Sequence, residues 1–289
     1  MISSPRASHD AQDDVFYVGS VHQSRIFRVT RGGTVSELTP ELPGRWAPLG
    51  LRVDRKGGAL WVAAAALPQT TGYNPSDSGR SAILRYDLQS GRLSARYDVP
   101  ADGSPHVLGD LIVTRGGDVY ATDSRAPVLY RLPARGDSLE RFVESPLILS
   151  AQGLALTPDE RSLYVADYAR GILRVDLGGR NVSLVEAADS VLTLGIDGLY
   201  FHRGSLVGIQ NGVTPHRVAR FTLSPAGDRV LRVEVLERAH PRYDEPTLGV
   251  LVDGELYYIA NAQWERFGED GRIAKPEALM TPAVLRLRL

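Results

Sequence analysis

The sequence predicts an all-β fold, a single six-bladed β-propeller with four-stranded antiparallel blades around a central channel. The first observation behind this is a segment met six times, an apolar pair followed by an arginine and another apolar residue. The copies are Ile26-Phe27-Arg28-Val29, Ile83-Leu84-Arg85-Tyr86, Leu129-Tyr130-Arg131-Leu132, Ile172-Leu173-Arg174-Val175, Val218-Ala219-Arg220-Phe221 and Val284-Leu285-Arg286-Leu287. The second is a β-rich run ahead of each copy: VFYVGS, LWVAAA, VYATDS, LYVADY, LVGIQN and LYYIAN. The third is spacing, since successive arginines lie 57, 46, 43, 46 and 66 residues apart. A period in the forties with several strands per unit is the signature of a propeller, whose blades bury their faces only against neighbours.

Strands A to D of each blade are expected to run outward from the channel. The A strands read LGLRVD (49–54), GDLIVT (109–114), QGLALT (152–157), DGLYFH (197–202) and LGVLVD (248–253). They are short and apolar, as strands buried on both faces should be. The B strands are the β-rich runs and the C strands the arginine segments. Turns rich in Gly, Asp or Pro (RKGG, RGGD, PDERS, RGS, DGE) join A to B, and RGGT, QSGR, ARGD, GGRN and PAGD make the C-to-D hairpins. The D strands are TVSELT, RLSARYDV, SLERFV, NVSLVE and VLRVEVLE.

This order puts the A-to-B and C-to-D turns on one face of the disc and the remaining connections on the other. The short turns occupy the first face. The second carries B-to-C insertions at 66–80 and 262–281 and D-to-A loops at 100–108 and 239–247. Long connections in a compact fold tend to be binding loops or lids, so the working face is expected there, at the channel mouth. The sequence stops on the C strand of blade 6 at Leu289, leaving no later segment for that blade's D strand. Blade 1 opens on its B strand near Val15, so residues 1–14 supply a degenerate A strand, a closing D strand, or neither. Because closure removes open sheet edges, at least part of 1–14 is expected to pair.

Composition narrows the class. With 289 residues, 43 % of them hydrophobic, and equivalent units from end to end, 1–289 reads as one domain. Thirty-three basic and thirty-four acidic residues leave a net charge of −1 with no basic stripe, which gives nucleic acid no electrostatic footing. The absence of cysteine excludes disulfides, thiolate catalysis and cysteine metal sites. No apolar stretch approaches the roughly 18 residues of a membrane span. The opening MISSPRASHDAQDD lacks the apolar core of a secretory signal. A soluble cytoplasmic or periplasmic protein is expected, with a small molecule as its partner, no membrane or nucleic-acid partner, and an oligomeric state left open. No nucleophile elbow, phosphate loop, zinc spacing or dinucleotide fingerprint occurs.

The blade-4 run SAQGLALTPDERSLYVADYARGILRVDL resembles the "N-G-hydrophobic-S/T-P-D-G…LYV-D" pattern of the six-bladed senescence-marker-protein/gluconolactonase (regucalcin-like) family. GIDGLYFHRGSLVGIQN and VLGDLIVTRGGDVYATDS are similar to two further blades of that family, which is related more distantly to paraoxonase and strictosidine-synthase-like propellers. The resemblance implies a divalent cation in the channel, usually calcium, held by oxygens at the starts of A strands. Its implied role is to polarise a lactone or ester carbonyl. Carried across by position, the family's Asn falls on Gln152 and its Asp on Asp197, as ligand or general base. Of its Asn-Asp pair, which falls on Gly109-Asp110, only Asp110 remains. The family's first Glu is missing; if PRASHD is the relic of that strand, Arg6 stands in its place. The metal set is thus Gln152, Asp197 and Asp110, with no bound metal as the alternative.

Other residues carry a functional and a structural reading. Asp123 and Asp167 end B strands, where an Asx hydrogen bond capping the next turn is the structural role. Asn211 and Asn261 end the B strands of blades 5 and 6 and either line the mouth or form turns. His22, His106 and His240 fall in loops of the long-loop face; His106, three residues from Gly109, is the best acid/base candidate among them. Tyr73, Tyr168, Trp264 and Phe267 either wall a ligand pocket or anchor the insertions. The six arginines read as structural, pairing with acids of adjacent blades or covering apolar surface with their stems.

The leading functional expectation is a hydrolase opening a lactone or ester, with Asp197, Asp110 and His106 as catalytic residues. Tyr73, Tyr168, Asn211, Asn261 and Trp264 would bind substrate. The alternatives are a non-catalytic propeller that binds a ligand or protein through 66–80 and 262–281, and a synthase-like propeller doing acid/base work without metal.

Overall fold

The computed structural model describes residues 7–11, 13–268 and 270–289; the correspondence at Arg6 lies outside them. Blade 1 comprises β1 (Ala7–Asp10), β2 (Val15–Ser20), β3 (Arg25–Thr30) and β4 (Val35–Thr39). Blade 2 comprises β5 (Ala47–Asp54), β6 (Ala59–Ala65), β7 (Ser81–Asp87) and β8 (Leu93–Asp98). Blade 3 runs through β9 (Leu108–Val113), β10 (Val119–Asp123), β11 (Val128–Leu132) and β12 (Glu140–Glu144). Blade 4 runs through β13 (Ala151–Leu156), β14 (Ser162–Asp167), β15 (Gly171–Asp176) and β16 (Val182–Leu184). A two-residue strand, β17 (Glu186–Ala187), then pairs in parallel with the outer edge of blade 5. That blade is β18 (Ile196–His202), β19 (Ser205–Gln210), β20 (Arg217–Leu223) and β21 (Arg229–Arg238). Blade 6 consists of β22 (Gly249–Val252), β23 (Glu255–Ile259) and β24 (Val284–Arg288). The propeller expected from the repeat is therefore present. No helix among the described residues is long and apolar enough to cross a membrane.

Two details at the ends were open in the sequence. Ala7–Asp10 pairs antiparallel with β2 and is the A strand of blade 1. Blade 6 has three strands among the described residues.

Blades pack face to face by one rule. In each B–C hairpin, the face that does not carry the repeated arginine packs against the preceding blade. Leu60, Val62, Leu84 and Tyr86 of blade 2 join Tyr17, Ile26 and Leu38 of blade 1 in one cluster. Leu163, Val165, Leu173 and Val175 of blade 4 likewise join Tyr120, Leu129 and Phe142 of blade 3. The arginines bridge in ways the sequence did not specify. Arg131 and Arg220 pair with acids of their own blades, Asp118 and Glu234, both at 2.8 Å. Arg28 and Arg174 instead donate to backbone carbonyls of the next blade, at Leu88 and Ala226. Among the described residues, none of these four forms an ion pair with an acid of an adjacent blade.

At the axis, inner strands approach more closely than any side chain allows. A Cβ on Gly153 of β13 would lie 2.5 Å from the carbonyl oxygen of Asp197 in β18. One on Gly50 of β5 would lie 2.8 Å from Cα of Asp110 in β9. Both obstacles are backbone, which cannot swing away.

The upper loops are latched by buried carboxylates. Asp167 Oδ1 accepts from the Ala169 and Arg170 amides, the Asx cap the sequence suggests, while Oδ2 accepts from Leu149 and Ser150 in the incoming D-to-A loop. Asp123 repeats the device, accepting from Arg125 and Val107 through Oδ1. Gly153→Ala is expected to lower stability by about 2–3 kcal/mol in equilibrium denaturation, because the clash must be relieved by moving β18. A change within 0.5 kcal/mol (roughly the background of a neutral surface substitution) would mean that the inner strands are not packed this tightly.

Candidate functional site

The long connections meet over the channel mouth, where a cleft of about 340 Å³ opens. Its apolar wall is Leu49, Leu67, Val107 and Trp264, and its polar wall includes Ser124, Ser150, Gln152, Tyr168, Asp197, Asn211 and Glu245. Gln152 and Asp197 come from the mouth ends of inner strands β13 and β18, Tyr168 and Asn211 directly follow B strands, Glu245 is on a loop, and Trp264 opens a single 3-10 turn, Trp264–Arg266.

A hydrogen-bonded chain crosses the polar wall. The Tyr168 hydroxyl donates to Asn211 Oδ1 at 3.0 Å, and Asn211 Nδ2 donates to Asp197 Oδ2 at 3.2 Å. Thr247 donates its hydroxyl to the same carboxylate oxygen. Burial, reinforced by the negative charges of Asp197 and Glu245, pushes the Tyr168 phenol up to about 12, so it stays a donor at neutral pH. Gln152 spends Nε2 on Ser150 Oγ at 3.2 Å, which leaves its Oε1 beside Gly109.

Glu245 is the second carboxylate of the cleft. It accepts from the Trp264 amide through Oε2 at 2.9 Å. Desolvation, with added repulsion from Asp197, Glu265 and Asp244, raises its carboxyl to about 7. A buried carboxyl beside another carboxylate holds its proton to higher pH because a second negative charge in low dielectric is costly.

The loops bearing these groups are tied down. Asp244 pairs with Arg266 at 2.9 Å. Gln263 makes two hydrogen bonds to the Met280 backbone, at 2.7 and 3.1 Å. His22 clasps both insertions: its Nδ1 lies 2.9 Å from Gln69 O, and its ring packs on Phe267 at 5.7 Å.

Five residues singled out from the sequence meet in the cleft: Gln152, Tyr168, Asp197, Asn211 and Trp264. Four others do not line it. Asp110 points its Oδ2 at the Leu154 amide, 3.1 Å away in the next inner strand, with Arg52 at 3.9 Å from Oδ1. His106 is buried between two carboxylates, Asp123 Oδ2 at 2.7 Å and Asp102 Oδ1 at 3.0 Å, which ties the 100–108 loop to blade 3. Asn261 bonds Thr281 O and the Ala283 amide and so closes the base of the 262–281 loop. Tyr73 packs against the core between blades 1 and 2. Glu245 and Thr247 were missed, although they lie in the 239–247 loop that the blade pattern places on this face.

A hard divalent cation needs oxygen donors with carboxylates among them. Among the described residues, no group of three or more Asp, Glu or His forms a cage. The cleft offers instead two carboxylates, Asp197 and Glu245, and the amide oxygen of Gln152. Excess negative charge beside a neutral oxygen donor is chemistry that fits such a cation, with Asp110 no longer part of the set.

No family model and no curated protein matches the chain. Its fold is similar to solved structures. A gluconolactonase from Xanthomonas campestris superposes with a TM-score of 0.63 at 19 % identity, over 89 % of this chain and 82 % of that one. The PQQ-bound aldose sugar dehydrogenase from Streptomyces coelicolor gives a TM-score of 0.68 at 15 % identity, over 100 % and 95 %. A luciferin-regenerating enzyme gives 0.64 at 15 %, over 99 % and 92 %. At such identities the likeness establishes the fold alone.

The raised carboxyl makes a signed prediction about stability. A folded-state pKa near 7, against 4.5 in the unfolded chain, means that the folded protein holds the extra proton between those values. Stability should therefore fall as pH rises through that window. In chelator, Glu245→Gln is expected to remove this slope and to exceed the parent protein at pH 8 by about 2 kcal/mol, after allowance for partial exposure. Equal pH slopes in urea titrations of the two proteins would contradict the assignment.

Proposed function

We propose that this chain is a small-molecule hydrolase that opens a neutral lactone or ester at the channel mouth. The observation that carries the reading is the pair of unlike carboxylates in one small cleft. Asp197 is held by Thr247 and Asn211, and Glu245 is raised to about 7, where a group gives and takes protons at neutral pH.

In this reading the apolar wall of Leu49, Leu67, Val107 and Trp264 receives the carbon skeleton. Glu245 Oε1 takes a proton from water as the water oxygen attacks the carbonyl carbon. The C–O bond to the leaving oxygen then breaks, and the proton passes from Glu245 to that oxygen. The products are a carboxylic acid and a hydroxyl, joined in one molecule for a lactone. Asn211, fixed by Tyr168, keeps Asp197 oriented. Where a divalent cation is bound, Asp197 and Gln152 would hold it, and it would supply polarisation of the carbonyl.

Proton release from a panel of neutral lactones and esters tests the activity. Glu245→Gln and Asp197→Asn should each lower kcat about 100-fold or more, with cooperative unfolding retained. Millimolar calcium, magnesium, manganese or zinc should stabilise the fold by mass action, by about 2.7 kcal/mol at a hundred times Kd, and so raise Tm, and Asp197→Ala should abolish the rise. Binding of such compounds without turnover by the parent protein would overturn the reading in favour of a binding propeller.

A further inference from the structure

The six repeats serve as controls for one another, and blade 2 departs from the rest at its arginine. In five blades the residue paired across from that arginine is aromatic: Tyr17, Trp61, Tyr120, Tyr164 and Tyr257. The arginines end on two kinds of partner. Arg131, Arg220 and Arg286 reach an acid of their own blade, while Arg28 and Arg174 donate to turn carbonyls of the next blade. Arg85 does neither. It donates to Ser94 Oγ at 3.0 Å and to Gly57 O at 2.7 Å, both neutral groups of its own blade. Its guanidinium lies over the Trp61 indole, 5.7 Å from the ring centre.

Beside Arg85 a cavity of about 760 Å³ opens between blades 2 and 3, on the short-turn face and so opposite the cleft. Lys56, Arg85 and Arg115 line it, against the single carboxylate of Asp54. Neither Lys56 nor Arg85 pairs with an acid among the described residues; Lys56 reaches across the seam to Arg115 O at 3.2 Å. Arg115 has only Glu160, 3.9 Å from its Nε. Asp54 turns Oδ1 to the Gly57 amide at 2.9 Å. The other walls include Trp61, Tyr97, Ala95 and Ala134, with the two rings 6.2 Å apart. Trp61 is 7 % exposed, and its Nε1–H is buried without an acceptor.

The comparable cavity between blades 4 and 5, about 840 Å³, is balanced instead. Arg161 and Arg174 meet Asp159 and Asp176 there, and Tyr164 and Arg174 spend donors on Gly227 O and Ala226 O. Three cations against one carboxylate leave the blade 2–3 cavity with an excess of two positive charges.

We propose that this cavity binds a small organic dianion, a phosphate monoester with an aromatic or apolar body. Such a group carries about two negative charges at neutral pH, which matches the excess. Lys56 acts on the phosphate oxygens as a point charge, and Arg85 through N–H groups not used on Ser94 and Gly57. The body packs on Tyr97, Ala95 and Ala134 beside Trp61. A recess lined by one sign of charge concentrates counter-ions, and its apolar walls select among them. The carboxylates of the channel mouth, on the other face, repel the same ligand.

Phenyl phosphate is the probe, followed on the whole protein by calorimetry and by the Trp61 indole N–H resonance. It should bind and shift that resonance. It should also bind more tightly than inorganic phosphate, which lacks the body, or benzoate, which carries one charge. Lys56→Met and Arg85→Met should each weaken it about tenfold, the worth of one hydrogen bond to a charged group. Asp54→Asn should tighten it, an outcome that loss of folding cannot imitate. Arg161→Met in the balanced cavity and Glu245→Gln in the cleft should leave it unchanged. No binding at millimolar concentration, equal binding of inorganic phosphate, or indifference to both the Lys56 and Arg85 changes would overturn the proposal.

Discussion

The contact between neighbouring inner strands at glycine governs this molecule. Only hydrogen fits where Gly153 meets the Asp197 carbonyl and where Gly50 meets the backbone of Asp110. That closeness sets the ring diameter at the axis, and the ring diameter decides how near the strand ends come to one another. Gln152 and Asp197 share a 340 Å³ cleft because they head inner strands joined by such a contact. Outward, the same geometry leaves each blade an apolar face that only the preceding blade can cover.

The loops convert that frame into a site. Asp167 and Asp123 each bind donors from two connections at once, which fixes the loops to the blades. Against this fixed rim, Glu245 is placed where water is partly excluded and another carboxylate stands close. The resulting charge is unfavourable for stability and useful for proton transfer or for attracting a cation, the tension common at functional sites.

Much of the fold was legible because strand period, turn glycines and repeat spacing agreed. All five inner strands named from the sequence are present, and Ala7–Asp10 adds the sixth. The site was legible where it lies on strand ends, as with Gln152 and Asp197, or just after them, as with Tyr168 and Asn211. It was less so where partners decide the role. His106 and Asn261 lie on the expected face, but neighbours far along the chain turn their polar atoms away from the cleft. Asp110 is one residue past Gly109, and the alternation of a strand turns its carboxylate to Leu154 instead of the cleft. Glu245 sits in an irregular loop where no periodicity marks orientation, so its burial beside Asp197 emerges only from tertiary structure.

The account turns on Glu245 holding a proton near neutrality, through desolvation first and the charge of Asp197 in the same cleft second. Carbon-detected NMR titration of the Glu245 carboxyl in metal-free protein measures this directly. A midpoint near 7 that falls when Asp197 is changed to Asn is the result the account predicts. A midpoint at the ordinary 4.5, or one unmoved by the Asp197 change, would contradict it.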